Sequence, residues 1–542
     1  MSLTPEQLSN IPQNIIDLYS QLESFIIEDF ARRAAKTGRI TSTAEWISER
    51  ANELGISMQL IEKETARILG LSLEEIQIII EESASVSLEA ENKIYQKAGL
   101  STVKIKGNSI LEGYIEAAIK QTKGELRNIT KSLGFAVMEN GKVKYKPIAK
   151  FYQDTLNLAQ MKISTGVQDY NSAIKEAVKK ITDSGLRYVD YDNGWSNHID
   201  VAVRRSVLTS TNQMSQKIND KTIEDLDLDI VEVTAHSGAR DKGTGPKNHK
   251  SWQGKWYSLS GKSKEYPSLK KVTGYGTGEG LGGYNCRHQY HGVIPDVSTP
   301  TYTDSQLRNI DPKEFGYKGK KYTAYEAAQY QRKIESAMRD TKRQLLAYKA
   351  AGLDDEYTKS SILLQRQKQE YKEFSNASGL RRKNERNQVI GFDKSNSQKA
   401  VSTYKKVEKE ANKLYNLGNT QDNINAYIRD KPIRDKLSEN NIEFLQRISG
   451  KEVIVKKYIP QIENVAQHVI DNMNTKVDRV NMTEENAQEF INNAKLVLYD
   501  TERETIKFLS QNGYAVLNLD NKLVTAVPQK WRNKYNKYIK GE

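Results

Sequence analysis

Between two long stretches of helical periodicity the chain carries about sixty residues, from Thr234 onward, that are dense in Gly, His, Trp and Tyr and poor in helix formers. One regular layer cannot satisfy both patterns, so the fold must be helix-rich with a loop-built, compact insert. Upstream, Leu8, Ile11, Ile15, Leu18, Leu22 and Phe25 alternate in steps of three and four, which predicts a helix from Pro5 to Lys36 with a kink or break at Pro12. Its seam needs a partner, either an intramolecular bundle or another subunit. Further helices are expected at Thr43 to Glu53, Leu73 to Gln96 and Ser109 to Leu133. A hairpin follows from Ala136 to Tyr145 around Asn140-Gly141. Pro147 to Ile181 and Trp195 to Ile218 read as helical, with a strand at Leu186 to Tyr191 between them and another at Asp229 to Thr234. Downstream, Ala327, Tyr330, Ile334, Met338, Thr341, Leu345 and Tyr348 share one helical face of a long hairpin spanning Tyr322 to about Asn376.

The last 140 or so residues change style again. Helices are expected at Gln398 to Leu417, Gln421 to Ile428, Glu463 to Met473 and Glu484 to Asn493. A strand-like Ala494 to Tyr499 precedes a meander of Thr505 to Leu509, Ala515 to Leu519 and Leu523 to Val527. The fold class is therefore α+β and helix-rich: a helical N-terminal region (1–133), a compact α+β central domain (134–302), a long helical hairpin (303–395) and a small α+β C-terminal extension (396–542).

Charge divides the chain. Residues 1–100 hold 9 basic and 16 acidic side chains, whereas the whole carries 82 Lys and Arg against 69 Asp and Glu, so an acidic start precedes a basic remainder. Residues 301–400 alone hold 21 basic and 13 acidic side chains. Two surfaces of opposite sign follow, with polyanions as natural partners of the basic one, although mixed-sign helical faces are also what ordinary solvated surfaces look like. The 29 tyrosines against 10 phenylalanines favour subunit interfaces. No apolar run approaches the ~18 residues that span a bilayer, so no membrane is expected. The start lacks the layout of a secretory signal, a lone cysteine forms no internal disulfide, and the chain reads as cytosolic.

Four of the six histidines, His236, His249, His288 and His291, fall within 56 residues of one another, and the single cysteine, Cys286, lies among them. A thiolate and neutral imidazoles are the ligands that Zn²⁺ prefers, so these five residues are candidate ligands of a structural zinc ion. Their spacing departs from zinc-finger patterns, and two other readings stand: a polar, hydrogen-bonded core of an irregular domain, or catalysis. A Cys–His nucleophile would draw backbone donors from Gly282-Gly283, and a metal-dependent hydrolase would use the same cluster. The run Gly274 to Gly280 lacks the Gly-Lys-Ser/Thr ending of a phosphate-cradling loop and reads as tight turns.

The order Thr234-Ala235-His236-Ser237-Gly238-Ala239-Arg240, Asn248-His249, Trp252-Gln253-Gly254-Lys255, Thr273-Gly274-Tyr275-Gly276 and Asn285-Cys286-Arg287-His288 resembles the signature of the phage minor capsid protein 2 family, which is related to the Mu-type head-morphogenesis proteins. Leu380-Arg381-Arg382, Asn384-Glu385-Arg386 and Gly391-Phe392 resemble its closing motif, so the likeness covers roughly residues 1–400. It implies a virion component inside the capsid at the portal vertex, made in the host cytoplasm. Such a protein contacts the phage portal protein and the packaged double-stranded DNA, with scaffold or major capsid protein as further partners, and assists head assembly, DNA packaging or genome delivery. On that reading 1–133 is the portal-docking region and no enzyme is expected in 1–400. A cellular nucleic-acid-binding protein is the competing class; it would owe its affinity to the basic excess alone and need no central motif.

The tail resembles, in layout more than in motif, the barnase/colicin/RelE-like RNase domains attached to some phage proteins. Such enzymes activate the RNA 2′-hydroxyl with a base and steady the phosphorane with cations, and the likeness makes His468, Arg503, Thr525 and Lys530 the candidate groups of a C-terminal toxin or effector. A second histidine usual in such enzymes is missing, and no convincing Glu-x-Glu pair behind a Ser/Thr motif points to an ADP-ribosyltransferase.

Overall fold

A computed structural model describes residues 3–37, 43–283, 285–294, 296–475 and 482–539. The N-terminal seam folds as α1 (Pro5–Asn10) and α2 (Gln13–Thr37), broken at Pro12 because a proline supplies no amide to the ladder. Thr4 and Gln7 close a reciprocal cap on α1. Ile15 and Leu22 are fully buried inside the same chain, so the seam is satisfied within a bundle.

The three sequence segments expected after it resolve differently. α3 is one 55-residue helix (Thr43–Lys97), about 80 Å long by its rise. A Cβ added at Gly55 or Gly70 would meet open space, and the buried series Ile61, Ile68, Ile76 and Ile80 runs through them. Packing of that stripe outweighs the ~1 kcal/mol propensity cost of each glycine. α4 (Ser109–Lys131) begins at the Asn108 cap.

The Asn140-Gly141 hairpin forms as β1 (Leu133–Glu139) and β2 (Lys142–Pro147), with φ of 51° and 73° at the two turn residues, the conformation a two-residue hairpin loop needs. After α5 (Ile148–Ser164) and α6 (Tyr170–Ser184), β3 (Arg187–Asp190) pairs with β1 and with β4 (Trp195–His198), giving the sheet order β2-β1-β3-β4. Trp195 to His198, expected as helix, is therefore strand, held by pairing to β3 in an antiparallel turn-back. Helix begins only at α7 (Ile199–Asp225).

α7 has buried residues on almost every side, many of them polar. It backs the central insert, where β5 (Ile230–Val233), α8 (His249–Trp252), β6 (Trp256–Ser258), α9 (Leu269–Thr273) and β7 (Tyr290–Gly292) follow in order. The strands form the antiparallel sheet β6-β5-β7. α10 (Asp304–Arg308) and the small hairpin β8 (Phe315–Tyr317) and β9 (Lys320–Tyr322) lead to the expected helical hairpin, α11 (Ala324–Ala351) and α12 (Asp354–Ser378). Thr323 and Glu326 cap its start, and Gly352, at φ 70°, makes its turn.

One apolar core joins residues from Ile15 to Ala400. Across it, Glu23 of α2 is salt-bridged to Arg343 of α11 at 2.6 Å and accepts the amide of Leu186 at 2.8 Å. A smaller core, with Val231, Trp252, Tyr257, Leu281, Cys286 and Tyr290, belongs to the insert.

The chain divides into two compact units, Met1–Val401 and Ser402–Glu542, the division falling inside α13 (Lys394–Leu414). The second unit holds α14 (Thr420–Arg429), α15 (Lys431–Glu439), β10 (Phe444–Arg447), β11 (Glu452–Val455), β12 (Asn464–Val465), α16 (Gln467–Thr475), α17 (Glu484–Asn492), β13 (Leu496–Asp500), β14 (Thr505–Leu509), β15 (Tyr514–Asn518), β16 (Lys522–Val527) and α18 (Asn536–Ile539). The expected meander is the middle of a seven-stranded sheet, β10-β11-β13-β14-β15-β16-β12, antiparallel except for β12 on β16. The whole is a helix-rich α+β protein.

Candidate metal centre

The insert positions its chemistry by consecutive tight turns. Amides of Thr277, Gly280, Gly283 and Cys286 donate to the carbonyls of Gly274, Thr277, Gly280 and Gly283 in turn. A Cβ on Gly280 or Gly283 would fall 2.3–2.4 Å from a backbone carbonyl oxygen of the preceding turns, so only glycine lets the stack close. The stack delivers Cys286 into the insert's core, 3% exposed. His249 opens α8 beneath the Asn248 cap, and His288 lies two residues past the cysteine; they are 4% and 2% exposed.

These three side chains meet: Nδ1 of His249 lies 3.9 Å and Nδ1 of His288 3.5 Å from Cys286 Sγ, and all three ligand atoms fall within 4.8 Å of one another. A tetrahedral Zn²⁺ with bonds of ~2.3 Å to sulfur and ~2.0 Å to nitrogen separates its ligands by roughly 3.5 Å.

The second ring nitrogens fix the tautomers. Nε2 of His249 is 2.9 Å from the Glu279 carbonyl, which only accepts, so that nitrogen carries the proton. Nε2 of His288 is 3.0 Å from Gln253 Oε1, the atom that also accepts the His236 amide at 3.0 Å and must therefore be the oxygen. Both Nδ1 lone pairs are thus turned toward the thiol, the orientation that outer partners impose on metal-binding imidazoles. Trp252 packs edge-on to His288, its ring 4.9 Å away, and donates its indole N–H to the Pro246 carbonyl at 3.1 Å.

Electrostatics match this arrangement. Burial, reinforced by neighbouring imidazoles, holds His288 well below its ordinary pKa, and burial lowers His249 too, so both rings favour the neutral form that a metal ion would need. Burial pushes the Cys286 thiol up, opposite to the shift that activates a nucleophile; as a ligand it would shed one proton to the incoming cation.

The other two candidates are not part of the group whose ligand atoms lie within 4.8 Å of one another. His236 lies flat against His288, with ring centroids 4.4 Å apart, and its Nδ1 is 2.9 Å from the Ser237 carbonyl. Burial and the adjacent Arg287 push its pKa down to about 3. His291, on β7, is in register with Glu232 of β5, its Nε2 3.5 Å from that carboxylate, which also accepts from the amide and hydroxyl of Thr301.

Gln253 and Glu279, which orient the rings, were not among the expected ligands; Gln253 stands within the quoted Trp252-Gln253-Gly254-Lys255 motif. The support from α7 was also hidden. Gln216 and Asn219 donate to the Tyr290 carbonyl at 3.1 and 2.9 Å, and Gln216 accepts the Tyr290 amide, pinning the strand behind the centre. These amides break the apolar pattern of α7, and that break was the available signal.

The tail candidates do not gather in the same way. His468 is exposed on α16, its Nε2 3.0 Å from the Val524 carbonyl beside Thr525. Arg503 lies in the β13–β14 turn, where Asp500 faces Thr505, and Lys530 follows the far end of β16, where Val527 faces Tyr514. The two cations therefore flank opposite ends of the sheet.

Comparison with known proteins places the centre in context. The family model described as phage minor capsid protein 2 matches residues 3–376, which lie inside the first unit. A structural protein of Lactococcus phage LL-H is 24% identical over 155 residues, 28% of this chain and 41% of that protein. A cytidylate kinase of Staphylothermus marinus is 33% identical over 92 residues, 17% of this chain and 46% of the kinase. The chain spans less than half the length of either relative, and no solved structure matches it. With the signature residues gathered in one buried centre inside the matched region, the chain belongs to the phage minor capsid protein 2 family.

Proposed function

We propose that the protein is a minor component of the phage head, placed inside the capsid at the portal vertex, and that the trio His249, Cys286 and His288 holds a structural Zn²⁺. The family match carries the virion reading. The acidic start suits docking on the portal protein and the basic remainder suits the packaged double-stranded DNA, with scaffold or major capsid protein as further contacts during assembly, in the manner of the Mu-type head-morphogenesis proteins. No helix among the described residues is long and apolar enough to cross a membrane.

The metal reading rests on the two ring N–H groups spent on Glu279 O and Gln253 Oε1, which leave both free nitrogens facing one sulfur. Bound there, the ion would tie α8 to the turn stack and to the segment entering β7, three pieces that share little regular hydrogen bonding. Its role is architectural: the trio is buried, and the thiol is held protonated rather than activated until a cation displaces its proton.

Mass spectrometry of gradient-banded particles tests the location. Recovery of this polypeptide at a few copies per particle, retained when tails are absent, is the expected result; particles that never contain it would remove the virion reading. Metal analysis of the purified chain tests the centre, with about one zinc per chain expected.

A further inference from the structure

Beside the centre, with His249 and His288 in its wall, lies a cavity of about 540 Å³. Seven arginines and three carboxylates line it. They arrive from segments far apart in sequence: Arg204 from α7, Arg240 from the loop after β5, Arg287 from the approach to β7, Arg332, Arg339 and Arg343 from α11, and Arg386 from the short 3-10 turn Asn384–Asn387. Two of the arginines are neutralised within the protein. Arg339 reaches Asp200 at 2.8 Å, and Arg343 is held by Glu23 at 2.6 Å and Asp340 at 2.9 Å. Of the other lining carboxylates, Glu335 accepts the Tyr371 hydroxyl at 2.9 Å.

Arg204, Arg240, Arg287, Arg332 and Arg386 form no salt bridge among the described residues. Arg204 donates to the Ser9 carbonyl at 2.9 Å, Arg386 to the Ser9 hydroxyl at 2.6 Å, and Arg287 stands 3.4 Å from His236 Nδ1, so most of their five donors each remain unspent. Three more donors of the lining, Ser20 Oγ, Arg339 Nε and Arg343 Nε, are buried without an acceptor among the described residues. The gathering is strained electrostatically: burial, then the neighbouring cations Arg386 and Arg332, hold Arg204 down to about 10.

We propose that this cavity binds a compact polyphosphate, either inorganic pyrophosphate or the phosphate tail of a nucleotide. Guanidinium forks match phosphate oxygens two at a time, and five arginines outside any salt bridge, set against the two lining carboxylates Glu335 and Glu385, leave a positive surplus that suits the three or four charges of such a ligand. The volume lies within the ~300–1,000 Å³ of small-molecule pockets. A duplex is the poorer match, because its phosphates recur about every 3.4 Å along each strand and call for cations spread over an open surface, not converging in a concavity. The inference goes beyond the virion reading and does not depend on the metal.

The test titrates the full-length protein, in low-salt, magnesium-free buffer, with pyrophosphate and separately with ATP, by calorimetry and thermal melting. Saturable binding with Kd of about 1–100 μM and a raised Tm are expected, weakened at least ~10-fold in Arg332→Gln. Arg332 is exposed on α11, so the substitution spares the core. Arg67→Gln, on α3 and paired with Glu64, is expected to leave affinity unchanged. Without ligand, Arg332→Gln should raise Tm by relieving repulsion; a lowered Tm counts against the proposal. Absence of binding of either anion at about 5 mM, equal affinity in Arg332→Gln, or an equal loss in Arg67→Gln overturns it. So does a duplex oligonucleotide that binds through Arg332 when pyrophosphate does not.

Discussion

The insert and the tail each present histidine beside cations and a sheet, yet they treat it differently. In the insert, two rings are at most 4% exposed, each spends one nitrogen on an oxygen acceptor, and each turns the other toward a single sulfur. In the tail, His468 is exposed, bonded to one carbonyl, with Arg503 and Lys530 at opposite ends of the sheet. Residue types alone did not separate the two. Orientation by a second set of partners did, because a ligand set is useful only when its lone pairs are aimed before the ligand arrives.

Three substitutions test that contrast and a fourth probes a buried carboxyl of α3, taken from the largest effect to the smallest. Cys286→Ser should lower zinc content from about one per chain to near zero and cut Tm by at least about 5 °C, read by metal analysis and melting. Unchanged Tm in a zinc-free protein would leave the insert a plain hydrogen-bonded core. Gln253→Leu leaves all three ligands in place but removes the acceptor for His288, so zinc affinity measured by chelator competition should fall about 10–100-fold.

A third test turns to Glu91 of α3, which is 1% exposed and has one oxygen without a partner among the described residues. Burial pushes its pKa up to about 7, against the pull of His291 on β7 and the hydroxyl of Thr222 on α7, while Asp220 on α7 pushes the same way as burial. A carboxyl raised in this direction supports folding while protonated; its contribution is complete below about 4.5 and is lost as pH rises through about 7. Glu91→Gln cannot ionise. Its stability gain over the parent should therefore grow between pH 5 and pH 8, reaching on the order of 1–3 kcal/mol in denaturant melts. In the tail, His468→Ala should change stability by less than about 0.5 kcal/mol, and the full-length protein should leave RNA intact on prolonged incubation. RNA cleavage lost in His468→Ala would make the tail an effector enzyme.

Local rules carried far where one element's own residues suffice. The Asn140-Gly141 turn, the break at Pro12, the α11–α12 hairpin and the strand Thr505–Leu509 follow from φ preferences and apolar spacing that few residues define. They failed where a distant partner overrides them. Gly55 and Gly70 suggest interruptions that the buried isoleucine stripe of α3 bridges, and Trp195 to His198 is strand only because β3 lies alongside. β10, β11 and β12 are short pieces with no pattern of their own until the neighbouring strands recruit them.

The sequence by itself determined that four imidazoles and one thiol would fall in a single glycine-rich segment too poor in helix formers to extend as one helix, and that this insert would sit within a helix-rich, charge-divided protein. Tertiary structure alone decided which histidines serve the sulfur, because a ring's useful nitrogen depends on what its other nitrogen finds. It alone also gathered the arginines, brought from five segments that no spacing along the chain relates.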